Sequence, residues 1–146
     1  YLICCYISII CSGTNNKNNV SSYSLMFFYS SSLQLDIVSA GSGKCKAQLV
    51  VSEEHLNLFG SMHGGFTSTL VDCVSTYALM TQGGGEPGVS VNLQVTFMKP
   101  AFPGDVVTID AKAVSVGKRI AFLAVDITKD GGLVTIAQGQ HTKFLL

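Results

Sequence analysis

One stretch limits the folds open to this chain more than any other. From His55 to Gly85 the only formally charged residue is Asp72. Apolar side chains recur at Met62, Phe66, Leu70, Cys73, Val74, Tyr77 and Ala78. Steps of three and four put them on one stripe of a helix. Gly64-Gly65 stand where that helix starts, and Gly83-Gly84-Gly85 with Pro87-Gly88 end it. A helix this poor in charge cannot lie open to water. It predicts a central helix covered by the rest of the chain.

Asp72 lies off the apolar stripe, beside Gly65, Ser68, Thr69, Ser75 and Thr76. A carboxylate on an uncharged, buried helix is costly unless it has partners or a task. One reading is an Asp that meets water or a backbone N–H; the other is a general base. Gly64 is equally two-sided. Glycines permit a tight loop-to-helix turn, and they also let a ligand approach the free N–H donors of a first helical turn, which suit a carbonyl oxygen gaining negative charge. Gly64 and Asp72 are eight residues apart, about 12 Å along a helix. Donor and base must each come within roughly 3 Å of one reacting centre. If both serve one carbonyl, the Asp must come from a second copy, in a two-fold dimer with two shared sites.

The remainder reads as strands. The pattern predicts strands over 35–40 and 44–51 before the helix, and over 89–97, 106–116, 120–128 and 133–144 after it. Val89, Val91, Leu93, Val95 and Phe97 alternate with Ser90, Asn92, Gln94 and Thr96, which predicts one apolar and one polar face. The short breaks at Gly117-Lys118 and Asp130-Gly131-Gly132 predict antiparallel neighbours. The order ββαββββ is an α+β arrangement. Its economical form is the hotdog fold, a curved antiparallel sheet wrapped around one long helix.

Charge narrows the partners. Charged residues make up 12% of the 146, against a usual quarter, and nine basic residues balance nine acidic ones. No basic patch points to nucleic acid. No 18-residue apolar run points to a membrane span. Five scattered cysteines without metal-ligand spacing argue against a zinc site and suit a reducing compartment. Cys73 sits on the apolar stripe and reads as a small buried hydrophobe.

Residues 1–33 differ in character from the rest of the chain. They hold an apolar run, an Asn-rich tract, a Ser-rich tract, three of the cysteines and Lys17 as their one formal charge. The expectation is an atypical, unstructured leader before a domain over 34–146. A targeting segment is the alternative, weakened by the lack of a basic n-region.

The segments HLNLFGSMHGGFTSTLVD (55–72), PGVSVNLQVTFMKPA (87–101), GKRIAF (117–122) and IAQGQHTKFL (136–145) resemble the hotdog-fold acyl-CoA thioesterases over about three quarters of the chain. The resemblance implies hydrolysis of medium- and long-chain fatty acyl-CoA without metal or prosthetic group. It implies that Asn57 and Gly64 hold the thioester carbonyl, that Asp72 orients or activates water, and that Ser90 assists. It implies that Asp72 and Ser90 face Asn57 and Gly64 across a subunit boundary, in a homodimer or a dimer-of-dimers tetramer of the cytoplasm or mitochondrion. His63 and Gly65 belong to the motif and are expected at the substrate. Lys99, Lys118 and Arg119 are candidates for the phosphates of CoA. Whether Asp72 acts as base or as nucleophile stays open. Two other functions stay open: a non-catalytic acyl-CoA-binding module, and a hydratase or dehydratase using His63. His55 and His141 sit in no local constellation that would promote them.

Overall fold

The computed structural model describes residues 33–82 and 84–146. The leader expected over 1–33 falls outside these residues except for Leu33, which packs against the core. Two strands, β1 (Asp36–Gly41) and β2 (Lys44–Val50), precede one helix, α1 (Gly64–Met80). Four strands come after it: β3 (Val89–Phe97), β4 (Val106–Val116), β5 (Ile120–Lys129) and β6 (Val134–Phe144). They form one antiparallel sheet in the order β1-β2-β4-β5-β6-β3, and α1 touches all six. The expected strands differ from these by about one residue at their ends. The hotdog arrangement of a single helix wrapped by a sheet is what the structure shows.

Alternation builds the core. Cys45, Ala47 and Leu49 of β2, Val107, Ile109 and Ala111 of β4, and Val125 and Ile127 of β5 are all buried against α1. The helix departs from the expected single stripe. From Leu70 to Leu79 every residue except Asp72 is buried, including Val71, Ser75 and Thr76. The sheet curves around the helix, so even its small polar face is covered.

β3 also departs from its expected alternation. Ser90 pairs with Lys143 of β6, but Asn92 pairs with Thr142, so Val91 is an extra, bulged residue. The bulge shifts the side-chain phase by one. Ser90 lies on the face of Lys143 and His141, which is the helix side, and beyond the bulge Leu93, Val95 and Phe97 turn to that same side. A strict alternation would have sent Ser90 away from the helix. β3 is an edge strand and keeps an apolar surface, with Val91 61% and Phe97 57% exposed. Among the described residues no helix is long and apolar enough to cross a membrane.

Candidate active site

Two separate groups of polar atoms lie along α1. The first is at the helix start. His63 is the N-cap; its Nδ1 accepts the Gly65 N–H at 2.8 Å. A Cβ on Gly65 would come within 2.9 Å of that ring nitrogen, so the cap requires glycine there. Gly64 differs. A Cβ on it would meet Phe97 at 3.5 Å, an ordinary contact, so packing within the chain does not demand glycine at 64. Its N–H belongs to the first helical turn, where no intrahelical acceptor exists.

Just upstream, Asn57 ties its own loop. Its Oδ1 accepts from the Phe59 N–H at 2.8 Å and the Ser61 N–H at 3.3 Å, while Nδ2 donates to Ser61 Oγ at 3.1 Å. An amide NH₂ carries two hydrogens, so a second one is left to donate. His55 anchors the loop from below. It is buried, its ring stacks on Phe66 with centroids 4.3 Å apart, and its carbonyl accepts the His63 N–H at 2.8 Å.

The second group surrounds Asp72, whose side chain is 17% exposed. Ser90 Oγ donates to Asp72 Oδ1 at 3.5 Å. His141, 1% exposed, places Nε2 at 3.0 Å from Ser90 Oγ and 3.6 Å from Asp72 Oδ1. Its Nδ1 lies 2.7 Å from Ser75 Oγ. Lys143, also buried, donates from Nζ to Thr76 Oγ1 at 2.6 Å, and that hydroxyl donates to the Asp72 carbonyl at 2.7 Å.

His141 is held far below its ordinary value of 6.5, at about 4, by burial first and by the charge of Lys143 second, with Asp72 opposing. At neutral pH the ring therefore carries one N–H. Two orders give every donor an acceptor. If the Ser90 hydroxyl donates to the Asp72 carboxylate, a charge-assisted bond, then Nε2–H donates to Ser90 and Ser75 donates to Nδ1. If Ser75 donates to the Asp72 carbonyl 3.1 Å away, then Nδ1–H donates to Ser75 and Nε2 accepts from Ser90. In either order the neutral ring links Ser75 to Ser90.

His141 thus corrects the expectation that it has no constellation. Its partners Ser90 and Ser75 are 51 and 66 residues away in sequence, so no local pattern could mark it. One signal was present: His141 and Lys143 are two apart on a strand and must share a face. Of the expected site residues, Asp72 and Ser90 are brought together. Asn57 is held in the loop before the helix, and Gly64 at the helix start, eight residues before Asp72 on the same helix. Lys118 and Arg119 lie in the β4–β5 turn, at the sheet end where β3 begins; Lys99 lies just past the other end of β3. All three are exposed.

The sequence profile of the thioesterase superfamily matches residues 59–136. The chain belongs to the thioesterase superfamily. Acyl-coenzyme A thioesterase 13 from Homo sapiens is 46% identical over 112 residues, 77% of this chain and 80% of the relative. Among solved thioesterase structures, thioesterase superfamily member 2 from Mus musculus superposes with a TM-score of 0.77 at 41% identity, covering 86% of this chain and 96% of that one. A hypothetical thioesterase from Streptococcus pneumoniae, solved with coenzyme A, superposes with a TM-score of 0.78 at 26% identity, covering 84% of this chain and 95% of that one.

Proposed function

We propose that this thioesterase superfamily member hydrolyses medium- and long-chain fatty acyl-CoA to free fatty acid and CoA, at sites shared by two copies of the chain. One observation carries the reading. An acidic group hydrogen-bonded to Ser90 and a helix start kept open by an otherwise unneeded glycine lie on one helix, about 12 Å apart by its rise. Antiparallel pairing of two such helices brings each Asp72 beside the other copy's Gly64 and Asn57. The long apolar edge of β3 supports that pairing, because an uncovered edge strand invites another strand.

In the shared site the thioester oxygen is held by the Gly64 N–H and the remaining Asn57 N–H, donors that strengthen as charge develops on it. Asp72 Oδ1 and Ser90 Oγ, 3.5 Å apart, hold one water between them. The water oxygen bonds to the acyl carbon while its proton passes to Asp72. The carbon–sulfur bond then breaks, and that proton goes to the departing thiolate. Each step uses a protein group or water. The same pairing sets Lys99 of one copy at the end where the other copy holds Lys118 and Arg119, a cationic mouth for the CoA phosphates. The scattered thiols fit a reducing compartment, the cytoplasm or mitochondrion. A hydratase would need the His63 ring as acid or base; its Nδ1 accepts the Gly65 N–H, which leaves Nε2 alone for that work.

Subunit complementation tests the shared site. Asp72→Asn and Asn57→Ala proteins, each impaired alone, are unfolded together and refolded as a mixture. Half of random dimers are mixed, and each mixed dimer has one intact site of two, so about a quarter of wild-type thiol release returns. No gain over the separate variants, with mixed dimers demonstrably formed, would reject the sharing. A folded wild-type chain that binds acyl-CoA without releasing thiol would reject the enzyme in favour of a binding module.

A further inference from the structure

Lys143 has no part in the chemistry above, yet the fold buries it at 2% exposure beside the site. Burying an ammonium is costly, and a well-packed apolar residue would normally serve better at such a position. Its surroundings show what the charge can act on. Lys143 and His141 are two apart on β6 and share the helix-facing side. Ser90 stands opposite Lys143 on β3. Thr76, which accepts from Nζ, stands one helical turn after Asp72 and donates to its carbonyl. The imidazole thus shares its buried surroundings with an ammonium and a carboxylate.

Among the described residues, the charged groups that act on His141 are Asp72 from α1 and Lys143 from β6. β3 places Ser90 and Leu93 beside the ring, and β5 places Leu123. None of these carries charge. The two charges pull the ring in opposite directions. A protonated His141, 3.6 Å from Asp72 Oδ1, would pair with the carboxylate and reduce its basicity toward water. It would also have no lone pair left to accept from either serine hydroxyl.

Resting on the thioesterase reading, we propose that Lys143 is a positioning residue: a fixed, buried cation that keeps His141 a neutral relay between Ser75 and Ser90 and prevents it from becoming the ion-pair partner of Asp72. Lys143 acts through His141 and touches neither water nor substrate. Its effect therefore depends on pH. Above the range where His141 can take a proton, removing the charge matters little. Below that range it costs activity, because the ring now protonates more readily.

The experiment has two independent readouts on the full chain. The first is the titration of His141 by NMR on histidine-labelled protein. In wild type the expected result is a ring that stays neutral down to about pH 4. In Lys143→Met and Lys143→Gln its midpoint moves upward, since the neighbouring positive charge is gone. The second is the pH profile of kcat/KM for thiol release. Its acid limb moves upward with His141, about tenfold in rate at low pH for each pH unit of displacement. At pH 8 the variants stay near wild type. A His141→Gln background abolishes the displacement. A uniform fall at all pH values with His141 unmoved would make Lys143 merely structural. A wild-type His141 that titrates near 6.5 would overturn the proposal even if both lysine variants fail to fold. Absence of thiol release from wild type would defeat the thioesterase reading alone, because the NMR titration still reports on Lys143.

Discussion

Asp72→Asn is expected to lower kcat by a factor of about 10²–10⁴, the usual worth of a general base, with KM nearly unchanged. That is about 3–5 kcal/mol on the barrier. The substitution keeps size and shape, and an amide oxygen still accepts the Ser90 hydroxyl, so helix, network and substrate pocket persist. What is lost is the ability to take a proton from water. Steady-state thiol release on the folded variant measures it, and turnover near wild type would sink the role. Ser90→Ala is expected to cost less, about tenfold, since the carboxylate remains and only one holder of the water is removed. The loss from Ser90→Ala should shrink in an Asp72→Asn background, because the two groups act as one unit. A single turnover in heavy-oxygen water separates base from nucleophile. A base delivers the label to the fatty acid in the first turnover, whereas a mixed anhydride can leave it on Asp72.

How much of the molecule was legible in its sequence depends on the range of the interactions. The helix, its lone acid and its glycine start are local in sequence, and periodicity of three and four exposes them. The six strands were legible because their apolar and turn residues repeat at short range. The eight-residue separation of Gly64 from Asp72 is likewise a local fact, and by itself it points to a second copy. The His141 network was not legible. It forms only when β6 lies between β5 and β3 under the middle of α1, and that strand order is a tertiary result. The orientation of Ser90 was illegible for a sharper reason. VSVNLQVTF alternates so evenly that a bulge at Val91 leaves no mark, yet the bulge turns Ser90 toward Asp72 while Leu93 and Val95 stay on the core side. Ser75 and Thr76 read as a helix's small polar face. Their hydroxyls are satisfied inside the protein by Asp72, His141 and Lys143.

Gly139→Ala is expected to be among the most destabilising single-methyl changes in the chain, and to damage the site as well. Gly139 lies on the helix-facing side of β6, two residues before His141, paired with Val95 on β3 and Val125 on β5. A Cβ there would collide with Val71 Cγ1 and lie 3.0 Å from its Cγ2. Val71 is fully buried, and its branched side chain is confined to one rotamer in a helix, so it cannot swing aside. Either α1 lifts from the sheet or the strand distorts. Overpacking of this kind costs about 1–3 kcal/mol, and a melting temperature lower by roughly 5–15 °C is the expected reading. Val71 precedes Asp72 directly, so lifting α1 also draws Asp72 from Ser90 and His141. A contact already 3.5 Å long has no slack to lose. kcat/KM should therefore fall together with the melting temperature. The decisive comparison is Val71→Ala with Gly139→Ala. Removing the two branched methyls makes room for the new one, so the double variant should recover most of both losses relative to Val71→Ala alone, a coupling of about 1–2 kcal/mol. Additive losses, or recovered stability without recovered activity, would mean that the close approach at Gly139 is not what sets Asp72 over its partners.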